Sequence, residues 1–137
     1  MMPDEVCLEG LVNTAKRISD LEYQRRVWVP HLGGQGDTWE ETCNAFFDDW
    51  DANWFVDMRL DSQPLNERTK SALRQLRSLF EADANNRGDF ADPADLVEDP
   101  HWQLVCAAAQ IFLRAIEFDS AWPRLPASDK VFRPEAG

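Results

Sequence analysis

Apolar positions recur along this chain at helical spacing almost throughout, and no run of alternating β-branched residues persists long enough for a strand. The spacing predicts a first helix over 3–18, with Leu8, Leu11, Val12, Ala15 and Ile18 along one side. Ser19 or Asp20 is placed to cap a short second helix through Leu21, Tyr23, Val27 and Trp28, closed by Pro30 and the glycine-rich 33–36 loop. Thr38-Trp39-Glu40-Glu41 has the form of a capping box, the hydroxyl accepting from an orphan N–H and the glutamate reaching back. In the helix that it opens, Cys43, Phe46, Phe47, Trp50 and Trp54 fall within one arc of about 100°. Glu41, Asn44, Asp48 and Asp51 lie opposite, so one face is expected in the core and the other is a surface of carboxylates.

Ser62-Gln63-Pro64 is expected to begin a long helix reaching about residue 84, with Leu65, Thr69, Leu73, Leu76, Leu79 and Phe80 as its stripe. Asn85-Asn86-Arg87-Gly88 should end it, with Gly88 or an asparagine in a left-handed cap. Asp92-Pro93 and Asp99-Pro100 each pair an N-cap with proline at the first helical position. The second opens the most apolar segment, 102–118, where Arg114 and Glu117 are the only charges until its end. That segment is the expected central helix. Pro123, Pro126 and Pro134 mark 123–137 as an extended or partly disordered tail. The expectation is an all-α fold: one domain over 1–122, a bundle of five or six helices around the apolar C-terminal helix, followed by a proline-rich tail.

Charge changes this picture from scaffold to surface. The 137 residues carry a net charge of −11, which excludes general binding to phosphate backbones and disfavours anionic membrane leaflets. Segment 37–61 holds eight acidic residues against one arginine, and 81–99 holds seven against one. Basic residues gather elsewhere, at Lys16, Arg17, Arg25 and Arg26 and at Arg68, Lys70, Arg74 and Arg77. Such polarisation costs stability through self-repulsion unless a cationic partner relieves it. Interleaved Trp39, Trp50, Trp54, Phe55, Phe90 and Trp102 offer core or interface anchors.

Other chemistry is poorly supported. His31 and His101 have no nearby nucleophile motif, and the 33–36 glycines lack the following Lys-Ser/Thr of a phosphate loop. Asp49, Asp51, Asn53 and Asp57 match positions 1, 3, 5 and 9 of a calcium loop, but Trp54 replaces its glycine and Leu60 its glutamate. Without that glycine the chain should stay helical. Asp48 with Asp51, and Asp92 with Asp95, have the i, i+3 spacing of carboxylates that hold Mg²⁺ in all-α nucleotide hydrolases. Cys7, Cys43 and Cys106 are widely spaced and read as small buried hydrophobes, as in a reducing compartment. The acidic first ten residues do not resemble a secretion signal and no apolar run approaches about 20 residues, so the expected location is cytoplasmic.

The stretch Ile18-Ser19-Asp20-Leu21-Glu22-Tyr23-Gln24-Arg25-Arg26-Val27-Trp28, with Thr38-Trp39-Glu40-Glu41 leading into Phe46-Phe47-Asp48-Asp49, resembles small acidic immunity proteins of bacterial polymorphic toxin and contact-dependent growth inhibition systems. Asp99-Pro100-His101-Trp102 fits the same pattern loosely, so the likeness runs over about 18–115. The resemblance implies a non-enzymatic protein without cofactor that occludes a cognate toxin domain, commonly a basic nuclease. The expected contact face is Glu41, Asp48, Asp49, Asp51 and Asp57, with Trp54 or Phe55 as anchor. A metal-dependent hydrolase acting on nucleotides and a self-associating scaffold are the alternatives.

Overall fold

Two long helices form the spine because each carries an apolar stripe too wide to leave in water. They are α5 (Glu67–Arg87) and α7 (Pro100–Glu117), packed along one another in a computed structural model that describes residues 2–30, 38–87 and 92–122. Helix α1 (Asp4–Ile18) lies against α7. Around this frame sit α2 (21–28), α3 (39–49), α4 (52–59) and the single turn α6 (Pro93–Leu96). Among the described residues the fold is all helical, with seven segments and one shared core. The 33–36 loop, the Gly88 cap and the proline-rich tail lie outside the described residues.

The caps explain most of the helix starts. Asp20 accepts from the Tyr23 N–H, Thr38 from that of Glu41, Asp92 from that of Ala94 and Asp99 from that of His101. The core is strongly aromatic. Phe46 and Phe47 of α3 meet Phe80 of α5 at 5.1 and 5.0 Å, Phe80 meets Trp102 of α7 at 5.6 Å, and Trp102 meets Trp28 of α2 at 6.2 Å. The buried Gln24 side chain serves this row, accepting from the Trp102 indole N–H and donating to the Arg17 and Ile18 carbonyls.

Two expectations need correction. The helix opened by Thr38 does not run to Trp54. Its last turn widens, so that the Trp50 N–H reaches the Ala45 carbonyl five residues back, and Asp51 then takes left-handed angles (φ 51°, ψ 55°). Helix α4 starts beyond the break, which is why there are seven segments. The anchor of this break is Trp50, whose ring lies against α1 where only Gly10 leaves room. The Cys7 thiol donates to the Trp50 carbonyl at 2.8 Å.

The long helix begins at Glu67, not at Ser62. Residues Leu60–Ser62 form a tighter single turn and Gln63 is extended, as the residue before a proline should be. Leu65 is buried from the loop instead of from the helix. The buried Asp119, just past α7, takes the place of a local cap. Its carboxylate accepts from the Asn66 N–H at 2.8 Å, the Thr69 hydroxyl at 2.7 Å and the Ala121 N–H at 3.0 Å.

Candidate protein-binding face

Folding places the acidic side chains in two different situations, and the difference defines the candidate site. Many of them are engaged internally. Asp4 receives a two-pronged contact from Arg59 and a hydrogen bond from Gln63, and the Arg59 contact holds its carboxyl below the usual range. Asp57 pairs with Arg77 at 3.0 Å, Asp61 pairs with Arg74, and Asn53 bridges Arg77 to Glu81. The basic residues of α5 thus neutralise acidic partners on and beside α4.

The second acidic segment contributes a buried clamp. Asp83 is 2% exposed and takes both Arg87, at 2.8 and 3.0 Å, and His101 Nδ1, at 2.9 Å. Arg87 also binds Asp99 at 2.7 Å, and this contact, with the His101 N–H, holds the Asp99 carboxyl down. The clamp joins the end of α5 to the start of α7. Its sequence signals were the i, i+4 spacing of Asp83 and Arg87 and the Asp99 cap, both of which suit a structural role. Cys43 feels this clamp, but burial first, then Asp83, pushes its thiol up to about 12. Burial pushes the Cys7 thiol to about 11 and that of Cys106 to about 12. Thiols so placed are poor nucleophiles at neutral pH.

Asp48, Asp49 and Asp51 behave differently. All three are exposed, and among the described residues none has a cation within ion-pair distance or serves as a cap. Together with Met2, Cys7 and the half-buried Trp54 they line a depression of about 310 Å³. Asp48 and Asp49 close α3, the end of a helix where its dipole disfavours carboxylates. Asp51 stands in the left-handed break. The local fold therefore crowds three negative charges beside an amphipathic ring, two of them at a helix end that raises their cost and Asp51 at the start of α4. Glu41 is exposed on the same helix, toward its start.

Of the expected contact residues, the structure thus brings together Asp48, Asp49, Asp51 and Trp54. Asp57 is exposed but already paired, and it does not line the depression. Phe55 is a correction: at 0% exposed it belongs to the core, because the break at Asp51 rotates α4 so that Ala52, Phe55 and Val56 turn inward. Trp39 and Trp102 are likewise core residues, while Phe90 and His31 lie outside the described residues. The uniform polarisation expected from the charge runs is reduced by the internal pairs. The calcium-loop residues do not converge, since Asn53 and Asp57 are held by Arg77. No group of three or more His, Cys, Asp or Glu side chains among the described residues is arranged to hold a metal ion. Asp92 serves as a cap and Asp95 is exposed.

Comparison with family models, curated proteins and solved structures finds no match for this chain. The resemblance to immunity proteins therefore rests on the quoted residues alone. Among the described residues no helix is long and apolar enough to cross a membrane.

Proposed function

We propose that this chain is a non-catalytic binding protein that captures a basic partner through the Asp48, Asp49 and Asp51 rim, with Trp54 as apolar anchor and Glu41 extending the field. The observation that carries the reading is the contrast within one molecule. Asp4, Asp57, Asp61, Asp83 and Asp99 are held by Arg59, Arg74, Arg77 and Arg87, while Asp48, Asp49 and Asp51 line one depression together and have no cation among the described residues. Unpaired like charges close together cost stability, and a cationic surface that docks there recovers it. A nuclease must be basic where it holds phosphates, so an acidic rim suits its active-site groove. The resemblance to immunity proteins points to a toxin domain as that partner, met in the cytoplasm, where three unpaired cysteines are at home.

The test is capture from the native host with the immobilised full chain, followed by titration of the retained protein against NaCl. The expected partner is strongly basic, and its affinity falls at least about tenfold from low to high salt as screening shortens the field. A retained partner that is acidic, or an affinity indifferent to salt, contradicts the reading.

A further inference from the structure

Helix α7 is the apolar centre of the bundle, yet part of it faces outward. Leu104 is 56% exposed, Ile111 60% and Phe118, at its C-terminal cap, 78%. They recur every seventh residue, so at 100° per residue they drift only about 40° over two heptads and form one straight seam about 21 Å long. Between them Ala107 and Arg114 are exposed at the intervening heptad positions. The seam thus has the 3–4 spacing by which one helix packs against another, with a buried face of Trp102, Val105, Cys106, Ala109, Phe112 and Ile116 behind it. None of its residues lines the acidic depression.

We infer that this seam pairs two copies of the chain about a two-fold axis through Ile111, with the two α7 helices antiparallel. Two features select a second copy over another partner. The large apolar positions are symmetric about Ile111, seven residues either way, so a two-fold rotation lays Leu104 on Phe118 of the partner subunit and Ile111 on itself. The same rotation brings Arg114, the longest side chain of the seam, opposite Ala107 of the partner subunit, the smallest. The second feature is electrostatic. In a chain of net charge −11, residues 100–116 contain no carboxylate, so two copies meet here without opposing their negative charges. On α7 itself a cationic partner would find only Glu117, at the end of the seam beside Phe118. A seam one helix wide is smaller than the roughly 800 Å² per partner of a tight complex, so the dimer is a weak one.

Sedimentation equilibrium of the full chain, from about 5 to about 500 μM, tests this. The mass should rise from the 15.7 kDa of one chain toward twice that value. Ile111→Glu should hold it at one chain throughout, with an unchanged thermal melt because the side chain is exposed. On mild oxidation, Ile111→Cys should cross-link to itself across the axis. Leu104→Cys should do so only when mixed with Phe118→Cys, the wild type giving the background of the three native thiols. A wild-type mass fixed at one chain gives the seam to another occupant and overturns the inference. A dimer that survives Ile111→Glu, or Leu104→Cys linking to itself as readily as Ile111→Cys does, overturns it as well.

Discussion

At the scale of single residues, the fold depends on a few side chains with no substitute. Asp119 is one. Burial by itself would raise its pKa, but hydrogen bonds from the Ala121 and Asn66 N–H groups and the Thr69 hydroxyl outweigh it and hold the carboxyl below its usual value. The folded protein then binds this proton less readily than the unfolded chain does. Its stabilisation is complete above the unfolded pKa of about 3.9 and is lost as pH falls through the lower folded value. Asp4 and Asp99 act in the same direction. Thermal melts should accordingly be flat from pH 7 to 5 and fall steeply below about pH 4. Asp119→Asn turns one acceptor into a donor against the N–H groups, costing about 1–3 kcal/mol at pH 7, and should shed part of that acid slope. An unchanged slope would remove Asp119 from the account. Gly10 is another such residue, since a Cβ there would stand 2.1 Å from the Trp50 ring. Gly10→Ala should lower stability by about 1–3 kcal/mol in urea titration, and Trp50→Leu in the same chain should recover part of it.

At the scale of elements, the sequence was legible wherever local chemistry decides. Asp-Pro at both C-terminal helix starts, the Thr38 cap and the apolar 102–118 run all read correctly, because caps and stripes act within a few residues. What it hid was decided at a distance. The break at Trp50-Asp51 comes from a ring packed on Gly10, some 40 residues away in sequence, and an unbroken helix there looked sound by spacing alone. The start of α5 was misplaced for a similar reason, its cap being supplied by Asp119 from beyond the other end of α7. That single break decided which aromatic ring stays outside, turning Phe55 in and leaving Trp54 at the rim. Asp51 keeps its left-handed angles without glycine's freedom, at a cost of order 1 kcal/mol. Asp51→Gly should therefore raise stability by about 0.5–1 kcal/mol while weakening capture of the partner, and Asp51→Val should lower both. A Gly variant less stable than wild type would mean that the Asp51 side chain supports the break.

At the scale of the whole molecule, net charge proved a weaker guide than pairing. The two acidic runs suggested one negative side, but Arg74, Arg77 and Arg87 of α5 neutralise Asp57, Asp61, Asp83 and Asp99 within them, and Asp48, Asp49 and Asp51 stay open together around one depression. Carboxylates engaged in the fold and carboxylates left open look identical in sequence, because pairing depends on which helix faces come together. The central claim is that the open ones at Asp48, Asp49 and Asp51 are there to receive a basic surface. The most direct measurement compares association rates of the captured partner with two charge-matched variants as salt is varied. Asp48→Asn/Asp49→Asn/Asp51→Asn should slow association at low salt by about tenfold or more and flatten its salt dependence. Asp4→Asn/Asp57→Asn/Asp61→Asn, which removes the same charge from internally paired sites, should change the rate little while lowering stability. Equal slowing by both variants would mean that only total charge matters, and an unaffected first variant would contradict the assignment of this face.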